Sequence, residues 1–269
     1  MTNELLDRLN PEQRAAAAHV KGPVLVFAGA GSGKTRVLTM RIATLIREHN
    51  VRPYNILAVT FTNKAANEMK ERLFNHLGEQ GKRLWAGTFH GICARILREY
   101  GSEIGIDPSF TIFDDSDQMD TVRAIMKSKD IDPKRYPPRE ILGFISRAKE
   151  KLVGPNEFRK YFVGTKESIA ARVYPLYQEQ LEHSRSLDFD DLIMYTVLLL
   201  QKSETVREHL QERFEYIHVD EFQDINLSQY TLIKTLGGKH KNIFCVGDDD
   251  QSIYRWRGAD VSIILQFEE

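Results

Sequence analysis

A chain of 269 residues, 42% hydrophobic and 28% charged, has enough apolar mass for one large domain or two smaller ones. Its formal net charge of −1 excludes a global electrostatic case for a nucleic-acid partner, so any such case must come from local patches. No apolar run reaches the about 18 residues of a membrane span, "MTNELLDRLN" is no secretory signal, and Cys93 and Cys245 lack metal-like spacing. The expected setting is a reducing cytoplasm with no membrane partner.

Val24 to Ala28 ("VLVFA") is a short apolar run that ends at glycines and predicts a buried strand. From Thr35 to Ile46, the residues Val37, Leu38, Ile42, Leu45 and Ile46 recur at helical spacing. The alternation continues with strand Ile56 to Thr60, helix Lys64 to Leu77, strand Leu84 to Gly87 and helix His90 to Tyr100. Later come strand Tyr216 to Val219, helix Leu227 to Leu236 and strand Ile243 to Gly247. Strands alternating with helices predict an α/β fold, a parallel sheet covered on both faces.

Between Gly101 and Ser186 no good strand run occurs, and the stretch reads as helices broken at "DPSF", "IDPKRYPP" and "VGP". A helical insertion over 101–186 is therefore expected within an α/β domain formed by 1–100 and 187–269. From Lys134 to Arg172 the insertion carries ten Lys or Arg against four Glu, a local excess of +6. Two readings stay open on composition: a solvated helical face, or a surface for a polyanion backbone.

"AGAGSGKT", Ala28 to Thr35, falls at a strand-to-helix junction. Small residues there let amide N–H groups and the helix N-terminus wrap a phosphate. Gly29, Ala30, Gly31, Ser32, Gly33, Lys34, Thr35 and the following Arg36 form the expected nucleotide cradle. Lys34 would reach the β- and γ-phosphates, and the Thr35 hydroxyl would ligate Mg²⁺. The pattern departs from its strict form only in having Ala28 at the leading glycine. "YIHVDEFQD" then puts Asp220 and Glu221 at the carboxyl end of an apolar strand, where such sheets bind ligands. Asp220 would hold Mg²⁺ through water, and Glu221 would orient and deprotonate the attacking water. A plainer alternative is that both acids cap the helix that follows. In "LNPEQRAA", Gln13 has the donor and acceptor needed to read an adenine edge, or it belongs to a surface helix. His218 alternates away from the ligand end and reads as packing.

Together these residues resemble the UvrD/PcrA/Rep group of superfamily 1 DNA helicases, along essentially the whole chain. "LNPEQ" matches the glutamine motif, "GAGSGKT" motif I, "TFTNKAA" motif Ia, and "GTFHG" the next DNA-contacting motif. "LDFDDL", "DEFQD" as motif II and "GDDDQSIYRWRGAD" as motif III follow in the family's order. The resemblance implies a RecA-like first motor domain with an inserted helical subdomain that touches duplex ahead of the fork. It further implies ATP with Mg²⁺, single-stranded DNA and single-strand/duplex junctions as partners, and 3′-to-5′ movement in repair or replication.

By the same resemblance Gln251 contacts the γ-phosphate or the attacking water, and Asp248 helps fix the magnesium shell. Tyr254, Trp256 and Arg257 would meet unpaired bases, and Phe61, Asn63, Thr88, Phe89 and His90 would supply the other strand contacts. Core packing at a sheet edge is the plainer alternative for Phe61 and Phe89. Partial burial is the plainer one for Trp256, and helix capping for Asp249 and Asp250. The family's remaining motifs and second motor domain would follow Glu269, so residues 1–269 alone are expected to turn ATP over slowly. A non-catalytic DNA-binding or docking module, and the helicase part of a helicase–nuclease, are the competing readings.

Overall fold

The computed structural model describes residues 5–29 and 31–248. Ala30, Asp249, Asp250, Gln251, Tyr254, Trp256 and Arg257 lie outside the described residues. In chain order the main elements begin with α1 (Pro11–Ala18), β1 (Val24–Phe27), α2 (Lys34–Arg47), β2 (Ile56–Thr60) and α3 (Asn63–Leu77). Then come β3 (Trp85–Thr88), α4 (Phe89–Tyr100), β4 (Thr111–Ile112), α5 (Asp115–Ser128), α6 (Pro138–Glu150) and α7 (Phe158–Tyr161). The rest are α8 (Thr165–His183), β5 (Ser186–Leu187), α9 (Phe189–Lys202), α10 (Glu204–Arg213), β6 (Tyr216–Val219), α11 (Leu227–Leu236) and β7 (Asn242–Gly247).

These divide into two compact units. The first draws on residues up to Ile92, Ser203–Ile225 and the chain from Tyr230 onward; the second on Cys93–Lys202 and Asn226–Gln229. In the first, a parallel sheet runs in the order β1-β7-β6-β2-β3. Every residue of β2 and β6 is buried, as a strand covered on both faces requires. Leu38, Ile42 and Leu45 of α2 share a core with Met69 and Leu73 of α3 and with Phe244 and Val246 of β7. The helices start where their sequences supply a start. Pro11 occupies the first turn of α1 behind an Asn10 cap, and the Thr62 side chain caps α3 through Ala65 N–H. The parallel order brings the ends of β1, β6, β7, β2 and β3 to one carboxyl edge, and that edge carries the candidate site.

The second unit is helical around Val122, Met126, Ile141, Ile145, Phe158, Tyr174 and Tyr177. It also holds a two-strand parallel ladder, β4 with β5. Two residues per strand leave no period to read, which is why no strand was expected there. Its limits fall at 92/93 and 202/203, against the expected 100/101 and 186/187.

A buried ion cluster accounts for the later boundary. Lys149 of α6 lies 2.6 Å from Asp188 and 2.8 Å from Asp191, all three essentially inaccessible to water. Asp188 and Asp191 also cap α9 reciprocally: Asp191 N–H donates to the Asp188 carboxylate at 2.8 Å and Asp188 N–H to Asp191 at 3.2 Å. Tyr177 Oη donates to Asp188 at 2.9 Å and Gln178 Nε2 to Asp191 at 3.0 Å. Burial alone would drive the Lys149 ammonium down, but Asp191 and Asp188 outweigh it and hold the ammonium above its ordinary range. "LDFDDL" therefore begins α9 and pins it to α6. Lys149 is withdrawn from the surface excess of the insertion, while Lys160 and Lys166 are paired with Glu157 and Glu140. Among the described residues no helix is long and apolar enough to cross a membrane.

Candidate nucleotide site

The segment after β1 turns sharply before α2. Gly31 and Gly33 take φ values of 75° and 82°, in the left-handed region where a Cβ is strained, so the glycines there serve the turn. Gly33 precedes α2 without a side-chain cap, leaving the first N–H groups of a 14-residue helix to an anion. Lys34 Nζ curls back over the turn, donating to the carbonyls of Ala28 at 2.9 Å and Gly29 at 3.3 Å. It also meets the Asp248 carboxylate at 3.1 Å, with Asp248 fully buried. The Ser32 hydroxyl is buried without a hydrogen-bond partner.

Thr35 and Asp220 come together as the sequence suggests. The Thr35 hydroxyl donates to Asp220 Oδ2 at 3.0 Å, across 185 residues of chain. Burial raises the Asp220 carboxyl above the usual range, and the Thr35 hydrogen bond opposes that rise. Buried carboxylate and hydroxyl oxygens suit a hard divalent cation. Among the described residues no cluster of three His, Cys, Asp or Glu could hold a metal by itself. A site of one or two protein oxygens, completed by phosphate and water, is the usual arrangement for magnesium.

Glu221 leaves β6 at φ 55°, unusual for a residue with a side chain and costing on the order of 1 kcal/mol. Its carboxylate is held by Gln223, whose Nε2 donates to Glu221 Oε2 at 2.7 Å. The other end of the same amide, Gln223 Oε1, accepts the Asp248 N–H at 2.9 Å. Gln223 is a residue that the sequence did not single out, because its contact to Asp248 exists only once β7 pairs with β6.

Other expected residues fall in more mixed places. Gln13 is engaged at both ends: Oε1 accepts from Asn10 N–H at 3.2 Å and Nε2 donates to the Ser32 carbonyl at 2.7 Å. It therefore braces the glycine turn, and an adenine edge would have to displace those bonds. Arg36 is exposed and donates to the Arg8 carbonyl at 2.7 Å. Phe61 follows β2 and Phe89 follows β3 at the same carboxyl edge, their ring centroids 5.4 Å apart. Phe61 is partly accessible, but Phe89 is only 1% exposed. For Phe89 the plainer alternative, core packing, describes its position, beneath Phe61 and not on the surface. Asn63 is exposed at the start of α3, and the Thr88 hydroxyl accepts Gly91 N–H at 3.1 Å. His90 is half-buried, and burial lowers its imidazole pKa. His218 is buried against Phe244; burial, then Arg41, keeps the ring far below its ordinary range and hence neutral.

Comparison with known proteins fits this geometry. The ATP-dependent DNA helicase PcrA of Bacillus subtilis (strain 168) is 51% identical over 269 residues, all of this chain and 36% of the relative. The ATP-dependent DNA helicase PcrA of Staphylococcus aureus (strain Mu50) is 50% identical over 267 residues, 99% of this chain and 37% of that relative. The protein of that name from Staphylococcus epidermidis is 51% identical over the same length. The chain thus spans little more than a third of the curated relatives it matches. The family described as UvrD/REP helicase N-terminal domain matches residues 9–269, so the chain belongs to that family.

Proposed function

We propose that this chain is the ATP-binding part of an ATP-dependent DNA helicase. The protein would couple hydrolysis to 3′-to-5′ movement on single-stranded DNA and to opening of single-strand/duplex junctions. One observation carries the reading: Lys34, Thr35, Asp220, Glu221 and Asp248 stand at the same carboxyl sheet edge as Phe61, Asn63, Thr88 and His90. The relatives' name and the length of matching sequence support it.

In this reading the uncapped start of α2 and the glycine turn receive the triphosphate, and Lys34 exchanges its carbonyl partners for phosphate oxygens. Thr35 and Asp220 would hold Mg²⁺, which neutralises charge on the transferring phosphoryl group when bound. Glu221 orients the attacking water and takes its proton. Phe61, supported by Phe89, offers its accessible ring to an unpaired base, a contact that tolerates any sequence. Roles for Gln251, Tyr254, Trp256 and Arg257 stay as the family resemblance implies. In the insertion, Arg139, Arg147 and Lys166 line one groove and Arg159 and Arg172 another, which supports duplex contact there. Free, buried Cys93 and Cys245 fit a cytoplasmic setting, with repair or replication proteins as candidate partners.

The test is strand separation by the full-length protein on a duplex with a 3′ single-stranded tail. ATP-dependent opening is expected, with Lys34→Ala inactive and a 5′-tailed duplex a poor substrate. Tight DNA binding untouched by ATP and by Lys34→Ala would instead identify a binding or docking module.

A further inference from the structure

Gln223 is too far inside the protein to be a surface contact and too well bonded to be filler. It is 5% exposed, and both ends of its amide are spent on groups at the site. The amide nitrogen donates to Glu221 Oε2 at 2.7 Å, and the amide oxygen accepts from Asp248 N–H at 2.9 Å. Asp248 in turn meets Lys34 Nζ at 3.1 Å. One side chain thus joins the end of β6 to the end of β7, and through Asp248 to the phosphate-binding lysine.

The backbone is shaped around this contact. A Cβ on Gly247, the last residue of β7, would stand 3.0 Å from Gln223 Oε1 and 3.4 Å from Gln223 N. Glycine therefore lets the strand approach the amide. Glu221 holds its left-handed φ of 55° immediately before the short helical turn that carries Gln223. A carboxylate on a bent backbone has two oxygens free to swing unless something holds one of them. The amide holds Oε2.

We propose that Gln223 is a positioning residue for hydrolysis. It fixes the Glu221 carboxylate in one orientation and ties that orientation to Asp248 at the tip of β7. The inference rests on the reading of Glu221 as the group that activates water. Gln223 spends its amide on Glu221 and Asp248 and acts through Glu221, so it governs turnover and not nucleotide affinity.

The test uses ATP hydrolysis by the full-length protein with single-stranded DNA present. Gln223→Met keeps the shape and loses both hydrogen bonds; Gln223→Glu keeps the acceptor for Asp248 N–H, loses the donation to Glu221 and sets a second carboxylate against it. Each variant is expected to lower kcat by about tenfold or more, with KM for ATP and Kd for ADP changed less than about twofold. Thermal melting checks that each variant is folded. Should Gln223→Glu fail to fold, Gln223→Met carries the comparison. A folded variant with normal kcat, or one whose loss lies in KM, overturns the inference. Lys34→Ala separates the two levels. If wild type hydrolyses ATP, Lys34→Ala does not, and the Gln223 variants match wild type, only the role of Gln223 falls. If Lys34→Ala matches wild type, the reading of the whole site falls with it.

Discussion

The Lys34 amine and the Asp248 carboxylate, 214 positions apart in sequence, lie 3.1 Å from each other at the glycine turn, and Asp248 is wholly buried. Lys34 therefore has a structural role beside the one proposed for it at the nucleotide. Lys34→Ala should abolish ATP hydrolysis and also destabilise the first unit by about 3 kcal/mol, because it removes the cation paired with a buried carboxylate. Lys34→Ala with Asp248→Ala should recover much of that stability and none of the hydrolysis. Denaturant melts beside ATPase assays separate the two effects; equal stability of the single and double variants would contradict the pairing.

The two phenylalanines at the sheet edge should separate in the same way. Phe61→Ala removes an accessible ring and is expected to weaken single-stranded DNA binding by roughly 5- to 150-fold, the equivalent of about 1–3 kcal/mol. Stability should hardly change. Phe89→Ala empties a core position and should cost about 3–5 kcal/mol of stability. Fluorescence anisotropy of a labelled oligonucleotide and thermal melting of both variants check this.

In the second unit, Lys149→Met should cost roughly 3–5 kcal/mol, since Asp188 and Asp191 would lose their buried counter-charge. Adding Asp188→Asn and Asp191→Asn should restore a large part. Urea unfolding of the single and the triple variant is the measurement, and a neutral Lys149→Met would refute the ion cluster.

Glu150 gives a pH-dependent case. It is half-buried, and burial, then the charge of Asp190, lifts its carboxyl to about 7, against the pull of Arg147 and Lys151. An acid whose pKa is higher folded than unfolded costs stability as pH rises from about 4.5 to about 7, because the unfolded chain ionises first. Glu150→Gln should therefore raise the melting temperature at pH 8, by the equivalent of about 1 kcal/mol after discounting for partial exposure, and leave it unchanged near pH 4.5. A pH series of melts on the two proteins decides it.

The sheet was legible because its strands are buried on both faces, so "ILAVT" and "YIHV" read as continuous apolar runs. The glycine turn was legible because its residues are local: glycines, Lys34 and Thr35 stand side by side. Lys149 was misread as surface charge, although Ile141, Ile145 and Ala148 mark the buried face of α6 on which it sits. Only its partners, 39 and 42 positions later, explain why a charge is there. Phe89 failed for a related reason, since a ring at a strand end reads alike whether it faces solvent or the layer below. Gln223 was hidden because its role depends on β7 lying beside β6, a pairing of distant segments.

The most direct measurement is the steady-state rate of ATP hydrolysis by the full-length protein as single-stranded DNA is titrated in. If the nucleotide and the strand share one sheet edge, the rate should rise by about tenfold or more as DNA saturates, and Phe61→Ala should shift that saturation to higher DNA concentration. A hydrolysis rate indifferent to DNA, at concentrations where binding is complete, would contradict the coupling of fuel and track.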